Sequence, residues 1–122
     1  MTRLDGKLTP ALLVRDLEAS LAFYGRLGFE ASGRWPEQGV ATWAEVRRDG
    51  VVLQLHTDAP VGTPGEPCLS GTLYMYVDDV GALAAELSGE VELHWGPEEM
   101  EYGQKELGLR DPDGYFLAFA ER

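Results

Sequence analysis

Residues 14–29, "VRDLEASLAFYGRLGF", decide how the rest of the chain reads. Leu17, Leu21, Tyr24 and Leu27 recur at helical spacing, which predicts an amphipathic helix. Asp16 stands where a carboxylate caps the first turn, and Gly28 where a helix C-terminal glycine belongs. Before this helix, "LTPALLV" is a short β-prone run; after it, "FEASGRW", "GVATWAEVRR" and "GVVLQLHT" read as three strands parted by turn residues. The first half is therefore βαβββ.

The pattern then pauses and repeats. Residues 57–71, "TDAPVGTPGEPCLSG", hold three prolines and three glycines without periodicity and read as a linker. Beyond them "GTLYMYV" is a strand, "DDVGALAAEL" a short helix capped by Asp78 or Asp79, and "VELHWG", "GQKELGLR" and "GYFLAFAE" are strand candidates. Asp16 and Asp79 lie 63 residues apart, while the turns Asp49-Gly50 and Asp113-Gly114 lie 64 apart, so one inserted residue reconciles the halves. Matching element order and matching anchors argue for an internal duplication. The expectation is an α+β fold in one domain, residues 1–122, with module 1 at about 6–58, a linker at 59–70 and module 2 at about 71–122.

Charge and composition narrow the function classes. Twenty-one acidic against ten basic residues give a net charge of −11, a field that repels nucleic-acid phosphates and anionic lipid and attracts cations. No apolar run is long enough to span a membrane and the start lacks a signal-peptide core, so a cytoplasmic protein with no nucleic-acid or membrane partner is expected. Cys68 is the single cysteine, which excludes an intrachain disulfide or thiolate metal cluster. Nucleophile-elbow, phosphate-loop and dinucleotide motifs are all missing.

The helix stretch at 14–29, "VDDVGALAAEL" at 77–87 and "YGQKELGLRDPDGYFLAF" at 102–119 together resemble the vicinal oxygen chelate superfamily: glyoxalase I, extradiol dioxygenases, fosfomycin resistance and bleomycin resistance proteins. The resemblance covers essentially the whole chain. It implies paired βαβββ modules with curled mixed sheets around a cup, completed in a homodimer. In metal-dependent members it also implies one His or Glu ligand on the first and last strand of each module. Those positions fall here on Thr9, Gln54, Thr72 and Ala118, which offer at best weak neutral oxygens. The chain thus looks closest to the metal-free bleomycin-resistance branch, with no cofactor.

Period-2 counting from those positions assigns Thr9, Ala11 and Leu13; Val52, Gln54 and His56; Thr72, Tyr74 and Tyr76; and Phe116, Ala118 and Ala120 to cup-facing sides. Leu53, Leu55, Leu117 and Phe119 then face the helices. Trp35, Trp43, Trp95 and Tyr102 sit on strands or in the loop before the last hairpin, where large rings wall a pocket. His56 reads as the better pocket histidine and His94 as a surface one. Glu106 is a base candidate if it faces the cup, although acidic strand residues are usually solvated.

The leading expectation is metal-independent binding and sequestration of a small aromatic or cationic organic molecule, an antibiotic of the bleomycin type among them. Its ligand-binding residues are Trp35, Trp43, Gln54, His56, Thr72, Tyr74, Tyr76, Trp95, Tyr102 and Glu106. Two alternatives stay open: a metal-dependent lyase, isomerase or dioxygenase with ligands relocated to His56, Glu106 and His94, and a non-catalytic protein-interaction domain.

Overall fold

Asp16 accepts a hydrogen bond from the Ala19 amide at 3.1 Å and Asp79 one from the Ala82 amide at 3.0 Å, so the two helices start the same way. The open choice between Asp78 and Asp79 falls to Asp79. In chain order the elements are β1 (Ala11–Leu13), α1 (Leu17–Arg26), β2 (Glu30–Trp35), β3 (Trp43–Arg48), β4 (Val51–His56), β5 (Thr72–Tyr76), α2 (Val80–Leu87), β6 (Trp95–Glu99), β7 (Lys105–Arg110) and β8 (Phe116–Ala120). This computed structural model describes residues 1–59 and 62–122; Pro60 and Val61 of the expected linker lie outside the described residues.

The strands form two four-stranded mixed sheets, β1-β4-β3-β2 and β5-β8-β7-β6, hereafter sheets A and B. In each, the first strand pairs in parallel with the last, and the other pairs are antiparallel. The duplication is visible in the register. Ala11, Gln54 and Glu45 lie side by side in sheet A, as Tyr74, Ala118 and Gly108 do in sheet B. The spacing is 63 residues through β7 and 64 in β8, which places the extra residue in the turn between Arg110 and Phe116.

One expectation needs correction. "VELHWG" does not begin a strand at Val91: the strand starts at Trp95. The amides of Glu90 and Val91 bond back to the Leu87 carbonyl at 2.9 and 3.2 Å, so the chain leaves α2 as a coil whose Val91 and Leu93 pack on the core. Their alternation reflects loop burial rather than a pleat.

Leu12, Ala44, Val46, Leu53 and Leu55 of sheet A, Leu107, Leu109, Leu117 and Phe119 of sheet B, and Leu17, Phe23, Tyr24, Val80, Leu83 and Leu87 of the helices belong to one continuous core. Burying each large aliphatic among them contributes about 1.5–3 kcal/mol. Each closing hairpin also touches the helix of the other module. Arg48 bonds the Leu27 carbonyl at 2.7 Å and Glu86 of α2 at 3.1 Å. Asp111 accepts from the Tyr24 hydroxyl of α1 at 2.7 Å, and Asp113 from the Arg15 amide at 3.0 Å. The sheets therefore turn one side each to a shared core and leave the other side, the front, away from it.

Candidate functional site

The front of sheet B is built around a hollow. Gly108, Ala118 and Ala120 carry little or no side chain, and Tyr74, Tyr76 and Trp95 flank them on the neighbouring strands. A β-bulge between Trp95 and Glu98 tips the indole inward. Gly96 makes that bulge possible, with φ at +74° and the Glu106 carbonyl 2.4 Å from where a Cβ would stand. The indole then lies across Gly108, whose hypothetical Cβ would sit 2.1 Å from the ring. Ala118 and Ala120 are consequently sealed, both at 0 % exposure, rather than lining an open face as their period suggested.

Glu106 sits in this hollow. It is 1 % exposed, which overturns the expectation of a solvated strand acid. The Trp95 Nε1–H donates to it at 2.9 Å, the Tyr74 hydroxyl lies 3.3 Å from both oxygens, and the Tyr102 hydroxyl donates from the β6–β7 turn. Burying a carboxylate is costly unless its lone pairs are met, and these donors meet them. The acceptance by Glu106, and after it the contact with Tyr74, hold the Tyr102 hydroxyl above its usual range, so it remains a donor.

Around this centre the rings form a continuous surface. His94 packs edge-on against Phe116 at 5.3 Å and against Trp95 at 6.1 Å, and Tyr74 stacks with Tyr76 at 6.5 Å. His94 is exposed, as a surface residue, and its ring joins this wall. Two guanidinium groups already rest on the rings, Arg122 at 4.0 Å from Tyr76 and Arg110 at 5.1 Å from Phe116. Tyr74, Tyr76 and Tyr102 stay substantially exposed, and Thr72 is exposed at the edge strand.

The front of sheet A carries a different set. Trp35, Trp43 and His56 are neighbours across β2, β3 and β4. Trp35 is 65 % exposed, whereas Trp43 lies over Gly33 and points its Nε1–H at the Gln54 Oε1 at 3.5 Å. Glu45 accepts from the Ser32 hydroxyl at 2.9 Å. His56 holds its Nδ1 2.9 Å from the Asp58 carbonyl, and since a carbonyl only accepts, that nitrogen is the donor. His56 also lines a groove of about 260 Å³ beside Cys68, Leu69 and Tyr115.

The residues at the superfamily's ligand positions do not suit a metal. Thr9 and Thr72 are exposed, Gln54 is engaged by Trp43, and Ala118 has only a sealed methyl. A divalent ion needs three or more imidazole or carboxylate donors. Among the described residues no three His, Cys, Asp or Glu side chains gather to supply them, the set His56, Glu106 and His94 included.

This geometry has known counterparts. Residues 8–119 match the model of the Glyoxalase/Bleomycin resistance protein/Dioxygenase superfamily. The chain belongs to that superfamily. Among solved structures, a bleomycin resistance determinant encoded on the transposon Tn5 is 26% identical, with 95% of this chain and 97% of that one covered and a TM-score of 0.69. A bleomycin-binding protein complexed with bleomycin is 24% identical over 95% and 98% of the two chains, TM-score 0.71. A lactoylglutathione lyase from Agrobacterium tumefaciens is 22% identical over 98% and 96%, TM-score 0.69. No match was found among curated proteins. The superfamily member has no helix, among its described residues, long and apolar enough to cross a membrane.

Proposed function

We propose that this protein binds and sequesters a small aromatic or cationic organic molecule without metal chemistry, in a cup that a second copy completes. The observation that carries this reading is the pair of ring-rich fronts, which spend Trp35, Trp43, Tyr74, Tyr76, Trp95 and Tyr102 outside the core cluster. Large rings left off a core in so small a chain stack well on planar ligands. Each front faces away from the core in a single chain, so a homodimer that sets sheet A of one copy against sheet B of the other supplies two walls. The likeness to a bleomycin-binding protein and to a bleomycin resistance determinant, the acidic charge and the missing donor set agree with this reading. A cytoplasmic role in antibiotic resistance follows as the biological setting.

Metal-stripped bleomycin and a panel of planar aromatic cations, titrated against the full chain by calorimetry and tryptophan fluorescence, test the proposal. Saturable binding is expected, with ligand recovered unchanged by mass spectrometry and about tenfold weaker affinity after Trp43→Ala, as for loss of a stacking wall. Light scattering should report twice the 13.4 kDa chain mass. Absence of binding across the panel, with Trp43→Ala behaving as the parent, rejects the reading.

A further inference from the structure

The buried carboxylate of Glu106 asks for a further explanation, because a hydrophobic residue would fill the hollow more cheaply. We infer that Glu106 is the counter-charge for a cationic head group, an amidinium, guanidinium or primary ammonium, carried by the molecule that binds the cup. The inference rests on the binding function proposed above and assigns one end of the ligand to one residue.

Three observations support it. All the donors that Glu106 uses, from Trp95, Tyr74 and Tyr102, are neutral, and among the described residues no ion pair includes it. The charge is hydrogen-bonded yet uncompensated. Of those donors, two stand on strands of the sheet, while Tyr102 stands on a turn and is 63 % exposed. The carboxylate is thus closed on its outer side by a side chain that solvent surrounds, and a ligand N–H⁺ can take the place of that hydroxyl without leaving a lone pair unmet. Finally, the same face already accepts cations on its rings, since Arg122 lies on Tyr76 and Arg110 on Phe116.

The module repeat adds direction. Glu106 occupies the position that Trp43 holds in the first module, opposite Ala120 where Trp43 stands opposite His56. At this one register position sheet B offers a carboxylate without a cationic partner and sheet A an indole, while the other front carboxylate, Glu45, is already met by Ser32 and Arg47. The ligand that fits both is polarised, with its cation toward sheet B and a flat ring system toward sheet A.

Naphthalene-2-carboxamidine and its neutral isostere naphthalene-2-carboxamide separate these roles when titrated by calorimetry into the parent protein, Glu106→Gln and Tyr102→Phe. Glu106→Gln should weaken the amidine about tenfold, the scale of a hydrogen bond to a charged group, and leave the carboxamide within about twofold. Tyr102→Phe, which removes the hydroxyl of an exposed side chain and frees a lone pair of the buried Glu106 carboxylate, should tighten the amidine about threefold and spare the carboxamide. Glu106→Gln binding both probes like the parent overturns the counter-charge assignment and leaves the cup standing. If neither probe binds the parent, both the assignment and the cup fall. Should Glu106→Gln lack a cooperative urea transition, Tyr102→Phe decides alone: unchanged or weaker amidine binding overturns the assignment.

Discussion

The two sheet fronts have the same backbone and opposite distributions of bulk. In sheet A the central strands carry the large and polar groups, Trp43, Glu45, Gln54 and His56, and the ring of Trp43 leans outward over Gly33 on β2. In sheet B the counterparts of Glu45, Gln54 and His56 on the central strands shrink to Gly108, Ala118 and Ala120, with Glu106 in the place of Trp43, and the ring leans inward from Trp95 on β6. A ring over a glycine recurs, but the donor and receiver strands are exchanged. Duplicated frameworks conserve the pleat and the register; what each front recognises depends on which strand holds the space-filling side chain.

Space at the two glycines should separate the fronts most. Gly108→Ala forces a methyl to within 2.1 Å of the Trp95 ring, whereas Gly33→Ala meets Trp43 at 3.3 Å. Urea unfolding should show a loss of about 3 kcal/mol for the first, as for overpacking of a tight site, and less than about 1 kcal/mol for the second. Equal losses would mean that the two rings are held with equal tightness.

The hairpin turns differ next. Asp111 accepts from Tyr24 at 2.7 Å and from the amides of Asp113 and Tyr115 at 2.9 Å, while the corresponding hairpin of sheet A offers the exposed Asp49. Asp111→Ala strands a buried hydroxyl and should cost about 2 kcal/mol, against less than about 0.5 kcal/mol for Asp49→Ala. Burial outweighs these hydrogen bonds and holds the Asp111 carboxyl above its ordinary 3.8. The folded state thus binds that proton more tightly than the unfolded one. Its contribution to stability is complete below the unfolded value and is lost as pH rises through the folded value. Relative to the parent, Asp111→Asn should therefore gain stability between pH 4 and pH 7; a constant difference in urea midpoints across that range would contradict the burial effect.

The smallest contrast concerns the indole N–H groups. Trp95→Phe removes a 2.9 Å bond to a buried carboxylate and should cost about 1.5 kcal/mol beyond lost packing, while Trp43→Phe removes only a 3.5 Å contact with Gln54 and should cost about 0.5 kcal/mol or less. Thermal unfolding of both variants checks the ranking.

Much of the framework was legible because period and capping are local. Asp16, a second cap at Asp78 or Asp79, the βαβββ order and the core sides of β4 and β8 all follow from neighbours a few residues apart, and the structure settles the second cap on Asp79. The site was less legible because it depends on bulk across strands. Alternation with Leu107 and Leu109 places Glu106 on the front, but its burial needs Trp95, Tyr74 and Tyr102 to converge from three separate segments. The exposure of His94 was legible, but its ring contact was not, since its partner Phe116 is distant in sequence. The one available signal was the row of small residues Gly108, Ala118 and Ala120, which marks a hollow that something large must fill.

The single extra residue between Arg110 and Phe116 has a consequence for the order of the halves. It gives the second hairpin room for Asp111 and Asp113, which reach across to α1 through Tyr24, Ser20 and Arg15. The first hairpin, one residue shorter, sends only Arg48 to an exposed partner on α2. A chain built from two copies of the first module would keep its sheets and helix caps yet lose this clasp, because neither hairpin would then carry Asp111 or Asp113, so the two halves of the repeat are no longer interchangeable.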